Sequence, residues 1–361
     1  MSTFQAPIRF FLGTHTPTGF VGTPREHLYD AQNGWRALLL KGGPGSGKST
    51  LLKRLYTAFA DEGDCEVFCC AGDPESLDAV RIPGRKLFVI DATAPHNMDP
   101  YYWGAVEQPV CLSACADSTA LHKQAHKILP LADEITRLQT QCGRYLRAAA
   151  TVFSNSHRIQ TDTINRDKIF RLAKRIALVE WGKPEKSTLP GHVVKRFLSA
   201  VTPDGLVTFY ETLQSLCPRI YVIEDEQGAA GLLLLSALQE AAVTAGFTCI
   251  SCPCPLFPND GPEHLLIPAL GLGFTTSNSF HKVDFPVFRR VHASRFCDVE
   301  ELRKKRQRLS FNRRAAVELL SEASALAATA KQLHHQLESY TTAAMDWEAY
   351  HALCNTLQET L

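Results

Sequence analysis

The sequence predicts an α/β protein made of two tandem copies of one unit, and three observations carry that expectation. An apolar run from Trp35 to Lys41 leads into GGPGSGKST at 42–50 and then into the helical pattern Leu51-Leu52-Lys53-Arg54-Leu55, so a strand, a glycine-rich loop and a helix stand in series. The segment RFFLGTHTPTGFV at 9–21 recurs as KRFLSAVTPDGLV at 195–207, and later anchors repeat at offsets of 183–186. Each copy then closes on a long stretch of apolar residues at three-to-four spacing, for example Leu131, Ile135, Leu138 and Cys142. Strands alternating with a helix point to parallel sheets. The expected fold is therefore a tandem pair of P-loop NTPase-like parallel sheets, each followed by a helical hairpin, with the second copy degenerate.

Taken in order, half one (residues 1–184) is expected to hold strands near 8–12, 36–41, 65–71 and 86–91 and a helix over 48–61, then a helical stretch over 115–181 broken at Gln160-Thr161-Asp162-Thr163. Half two (residues 185–361) repeats the plan, with an α/β part over 193–296 and helices over 298–340 and 344–361. Further anchors support the repeat: Ile82-Pro83 with Ile267-Pro268, His96 with His281, and Asp99 with Asp284.

Composition places limits on function. The 361 residues carry 45% apolar and 21% charged residues, the balance of a folded chain. No run of 18 apolar residues offers a membrane span, and the N-terminus lacks the pattern of a signal peptide. A cytoplasmic location follows, with the 12 cysteines mostly as free thiols. The net charge of +1 argues against nucleic acid as the dominant partner and leaves local basic patches open.

The loop at 42–50 has the form G-x-x-x-x-G-K-[ST]. Its backbone amides, from Gly42, Gly43, Pro44, Gly45, Ser46, Gly47, Lys48, Ser49 and Thr50, would cradle a polyphosphate at a helix N-terminus. (Pro44 contributes shape, having no N–H.) Lys48 would reach the β- and γ-phosphates, and the Ser49 hydroxyl would ligate Mg²⁺. Lys86-Leu87-Phe88-Val89-Ile90-Asp91 is an apolar strand ending in a carboxylate, so Asp91 is the second candidate Mg²⁺ group. No glutamate follows it to orient a water. Thr93, His96 and Asp99 leave the end of that strand, where ligands sit in open α/β sheets; capping roles are the simpler alternative. Asp73 and Asp78 follow the preceding strand, and either could position a water. His96 and Asp78 are the candidate catalytic residues beyond Lys48 and Asp91.

In half two the corresponding positions have changed. Gly42, Lys48, Ser49 and Asp91 align with Asp225, Gly231, Leu232 and Thr276, so the ammonium, the hydroxyl and the carboxylate are all lost. Cys249, Cys252 and Cys254 form C-x-x-C-x-C without a second pair at zinc spacing, which reads as buried thiols. Arg303 to Arg308 is a basic run on an expected helix and reads as a solvated face. Arg289, Arg290 and Arg295 are candidates to reach across to a nucleotide on half one.

LKGGPGSGKSTLL, S-L-D-x-V-x-I-P at 76–83 and D-x-T-A-P-H-x-x-D-P at 91–100 resemble an uncharacterised bacterial family of duplicated P-loop ATPases. The resemblance covers nearly the whole chain. In that family both halves typically carry a complete loop and the T-A-P-H segment, and this sequence departs from it at 225, 231, 232 and 276. The resemblance implies a nucleoside triphosphatase using ATP (or GTP) with Mg²⁺ at one site in half one, and a pseudo-active half two. A small-molecule or nucleotide kinase is the runner-up; its arginine-rich lid would have to come from Arg81 and Arg85. A nucleotide-sensing scaffold, presenting its helical arms to a protein partner, is the third reading.

Overall fold

The computed structural model describes residues 8–182 and 189–361. The expected boundary between the halves, at 184/185, lies outside the described residues. Half one contains β1 (Arg9–Phe11), β2 (Gly13–Thr16), β3 (Gly19–Gly22), β4 (Arg36–Lys41), α1 (Lys48–Phe59), β5 (Glu66–Cys69), β6 (Leu77–Ile82), β7 (Leu87–Asp91) and β8 (Glu107–Cys111), followed by α2 (Ser118–Lys123), α3 (Ala125–Thr161) and α4 (Arg166–Glu180). Half two contains β9 (Val193–Lys195), β10 (Ser199–Thr202), β11 (Gly205–Thr208), α5 (Tyr210–Leu216), β12 (Arg219–Glu224), α6 (Ala229–Thr244), β13 (Cys249–Pro253), β14 (Pro262–Ile267), β15 (Leu272–Ser277) and β16 (Arg289–His292), followed by α7 (Val299–Lys304), α8 (Arg306–Ala344) and α9 (Trp347–Thr360).

Each half is an α/β unit around a six-stranded sheet, and the two orders match: β1-β5-β6-β7-β4-β8 and β9-β13-β14-β15-β12-β16. Five strands of each sheet run parallel, and only β6 and β14 run against their neighbours. The central strands β4 and β7 are continuous apolar runs because both of their faces are covered. The repeated Thr-Pro-x-Gly motif is a hairpin turn: the hydroxyls of Thr16 and Thr202 donate to the carbonyls of Gly19 and Gly205, at 2.7 and 2.9 Å. Both glycines have positive φ, +122° and +98°.

The sheets are mixed where parallel ones are expected, because β6 and β14 run against their neighbours; β6, β8 and the β2–β3 hairpin also fall where no strand is read from the sequence. Asp78 and Arg81 interrupt the apolar pattern of β6, and Pro109 interrupts β8, which is the edge strand where proline is tolerated.

The halves interlock. Phe11 donates its N–H to the carbonyl of Phe197 at 2.8 Å, and Arg9 exchanges backbone bonds with the Thr212 hydroxyl. Phe197, Leu198, Phe209 and Leu266 of half two belong to the apolar core of half one. The long helices α3 and α8 pack along each other, with Asn312 donating to Asn155 and Ser156. The last helix of each half packs on the other half. Ile169, Leu172 and Ile176 of α4 enter the core around α6, whereas Tyr350, Cys354 and Leu357 of α9 enter the core around α1. Reciprocal bridges, Ala116 with Met345 and Ile164 with Cys297, hold the exchange in place. Among the described residues no helix is long and apolar enough to cross a membrane.

Candidate functional site

The loop Gly42–Gly47 joins β4 to α1 at the carboxyl end of the sheet. Gly45 and Gly47 have φ of +78° and +86°, which a side chain would strain. The loop is tightly curled: a Cβ on Gly42 would stand 2.4 Å from the Ser46 hydroxyl, which itself donates to the Gly43 carbonyl. Helix α1 begins at Lys48 without a side-chain cap. Among the described residues no side chain accepts from the amides of Lys48, Ser49 or Thr50. Those first-turn donors are the groups that a helix N-terminus offers to an anion.

Lys48 is 8% exposed, and its ammonium donates to the carbonyls of Gly42 and Gly43 at 2.5 and 2.9 Å. It also stands 3.6 Å from Asp91. The pairing of Leu40 with Asp91 explains this, because it puts the end of β7 directly beside the strand that feeds the loop. Asp91 in turn accepts from the amide and hydroxyl of Thr93. The Ser49 hydroxyl accepts from the Leu77 amide at 3.0 Å, which ties α1 to β6. Ser49 and Asp91 are the hard oxygen donors that a Mg²⁺ ion would use.

Asp78 and His96 come together. His96 Nε2 stands 2.8 Å from Asp78, both side chains being buried. Burial pulls the imidazole down, but the Asp78 carboxylate outweighs it, with help from Asp91, and His96 sits above its ordinary value. His15, close by, is held below its ordinary value by burial and by the charge of His96. Half two repeats this pair as Glu263 and His281, 3.0 Å apart. There burial is overcome by His281, and Glu263 falls to about 2.

Other expected residues are placed differently. Asp99 pairs with Lys41 at 3.0 Å on an exposed edge. Asp73 accepts from Ser76 and holds Lys331 of α8 at 2.7 Å. Arg81 pairs with Glu66 and Arg85 with Glu62, so neither arginine is directed at the loop. Arg289, Arg290 and Arg295 remain at the edge of half two; Arg290 pairs with Glu224.

What half two brings to the loop instead is the end of α8 and the start of α9. Glu338 presses its backbone against Gly45, where a Cβ would stand 2.5 Å from its carbonyl oxygen. The Thr342 hydroxyl donates to the Gly45 carbonyl, and the Tyr350 hydroxyl to that of Gly47, at 3.2 and 2.8 Å. His334 feels the charge of Lys48, and burial, His335 and Lys48 together hold it below its ordinary value despite Glu338. Lys331 and His334 were not legible as site residues, because the sequence around them reads as an ordinary exposed helix face.

The corresponding loop of half two is filled from within. Gln160, at the end of α3, accepts from the amides of Ala229 and Ala230 at 2.8 and 3.2 Å and donates to Asp225 at 2.6 Å. Asp225 accepts from the Gly231 amide at 2.7 Å. The first-turn donors of α6 are thus taken by the chain's own oxygens. A cavity of about 40 Å³ remains beside them, lined by Phe153, His157, Gly228 and Glu263 among others.

Cys249 and Cys252 are buried in β13, and Cys254 lies against Glu263 with its thiol pushed well up by burial. Comparison with known protein families, characterised proteins and solved structures returned no match.

Proposed function

We propose that half one is a single Mg²⁺–nucleoside triphosphate site, that the chain hydrolyses ATP or GTP there slowly, and that half two is a self-filled copy without a second site. One contrast carries the reading. Among the described residues the first-turn amides of α1 meet no side-chain acceptor and have Lys48 beside them, whereas the same amides of α6 are occupied by Gln160 and Asp225. The resemblance to duplicated P-loop ATPases supports it at Gly42, Gly47, Lys48, Ser49 and Asp91.

In this reading Lys48 leaves the Gly42 and Gly43 carbonyls for the phosphates, exchanging two dipoles for a full opposite charge. Ser49 and Asp91 would hold Mg²⁺, which neutralises phosphate charge when bound. Asp78 acts as a positioning residue that holds His96 near Asp91 and favours its protonated form. No carboxylate follows Asp91, and Asp78 is committed to His96, so water is weakly activated and turnover slow. Because Thr342 and Tyr350 bond the loop itself, occupancy of the loop is felt by α8 and α9, which favours a switch that reports its nucleotide state through the helical arms.

Phosphate release tests the reading. Slow release without any acceptor, abolished in Lys48→Ala, is expected. ADP formation that requires an acceptor would make the protein a kinase, and tight binding without ADP would make it a scaffold.

A further inference from the structure

Helix α4 carries a second surface, formed by residues other than those of the loop. Lys168, Arg171 and Arg175 of α4 and Arg295 from the turn after β16 line a cleft of about 490 Å³ whose floor includes Phe296. All four cations are exposed, and among the described residues none forms an ion pair with a carboxylate. Such a cluster is not required by the fold, and the internal repeat supplies the control. Helices α4 and α9 start from equivalent caps, Asn165 and Asp346. From that register Lys168, Arg171, Arg175 and Arg295 correspond to Ala349, Ala352, Thr356 and Ala114. The same architecture is therefore built where α9 packs on half one, with no charge at any of the four positions.

We propose that this cleft binds the phosphodiester backbone of a single-stranded nucleic acid. The three cations of α4 span seven residue steps, from 168 to 175, about 10 Å of helix. That is too long for a single phosphate and suits successive phosphates of one strand. A concave cleft favours a strand over a flat bilayer, which would need a protruding face.

Fluorescence anisotropy of a labelled oligothymidylate with the full chain tests this. Binding should weaken with salt at a log–log slope of about −3, from four contacts at about 0.7 each. The variant Lys168→Ala/Arg171→Ala/Arg175→Ala/Arg295→Ala, its fold checked by circular dichroism, should bind more than about 10-fold more weakly at low salt with a slope near zero. The variant Arg303→Ala/Lys305→Ala/Arg306→Ala, in the basic run on the neighbouring arm, should bind as the wild type does. The proposal is overturned if the oligonucleotide does not bind, if the four-site variant binds like the wild type, if the control variant loses as much, or if phosphatidylserine vesicles or polyglutamate bind this cleft as tightly.

Discussion

Replacing Gln160 with leucine is expected to destabilise half two while leaving the Gly42–Thr50 loop intact. Gln160 is 2% exposed and bonds the Ala229 amide, the Ala230 amide and Asp225. Leucine is of similar bulk and removes all three bonds. A buried donor left without a partner costs about 1–3 kcal/mol, and a lost bond to a charged group about 1.5–3 kcal/mol. The cavity of about 40 Å³ beside Gly228 has room for water, which would recover part of this. The net loss should be about 3–6 kcal/mol. Urea denaturation, followed by circular dichroism and tryptophan fluorescence, reads it as a lower midpoint. Gln160→Glu keeps the acceptors but sets a second carboxylate against Asp225, so its penalty relative to wild type should shrink as pH falls. A Gln160→Leu loss below about 0.5 kcal/mol, the range of an unremarkable surface change, would refute the account of half two as internally filled.

Three more expectations concern single side chains. His96 has a folded value above its ordinary 6.5, so its contribution is complete below pH 6.5 and fades as pH rises through the folded value; the stability gap between wild type and His96→Asn should narrow over that rise. Glu263 has the opposite sign: its contribution stands above pH 4.5 and is lost as pH falls towards about 2, and Glu263→Gln should remove that part of the acid transition in a denaturation series. Lys331→Ala removes the partly buried pair with Asp73, one helical turn from His334, which feels the charge of Lys48. A fluorescent nucleotide titration should show triphosphate affinity falling about 3- to 5-fold, as for a pair worth up to about 1 kcal/mol, with diphosphate affinity changed less.

Much of the fold could be read from local pattern. β4 and β7 are continuous apolar runs, and α3, α4, α8 and α9 have clear helical spacing, so their positions follow from periodicity alone. β6 was not legible because Asp78 and Arg81 look like loop residues until His96 and Glu66 are seen to pair with them. The exchange of α4 and α9 was not legible either. Periodicity tells which face of a helix is apolar and says nothing of which core receives it. At the candidate site, Lys48, Ser49, Asp91, Asp78 and His96 were all named from sequence, and the chain brings Lys48 to Asp91 and Asp78 to His96. Gln160 carried no site signal: it lies 65 residues before Asp225 and reads as the start of a helix break, whereas α3 runs through Thr161 and its packing against α6 gives Gln160 its role.

The most direct measurement is calorimetric titration of the full chain with Mg²⁺ and ATP, in the wild type and in Lys48→Ala. One bound nucleotide per chain, lost in the variant, is the predicted result. Two per chain would contradict the filled second loop, and no binding, or binding indifferent to Lys48, would contradict the first.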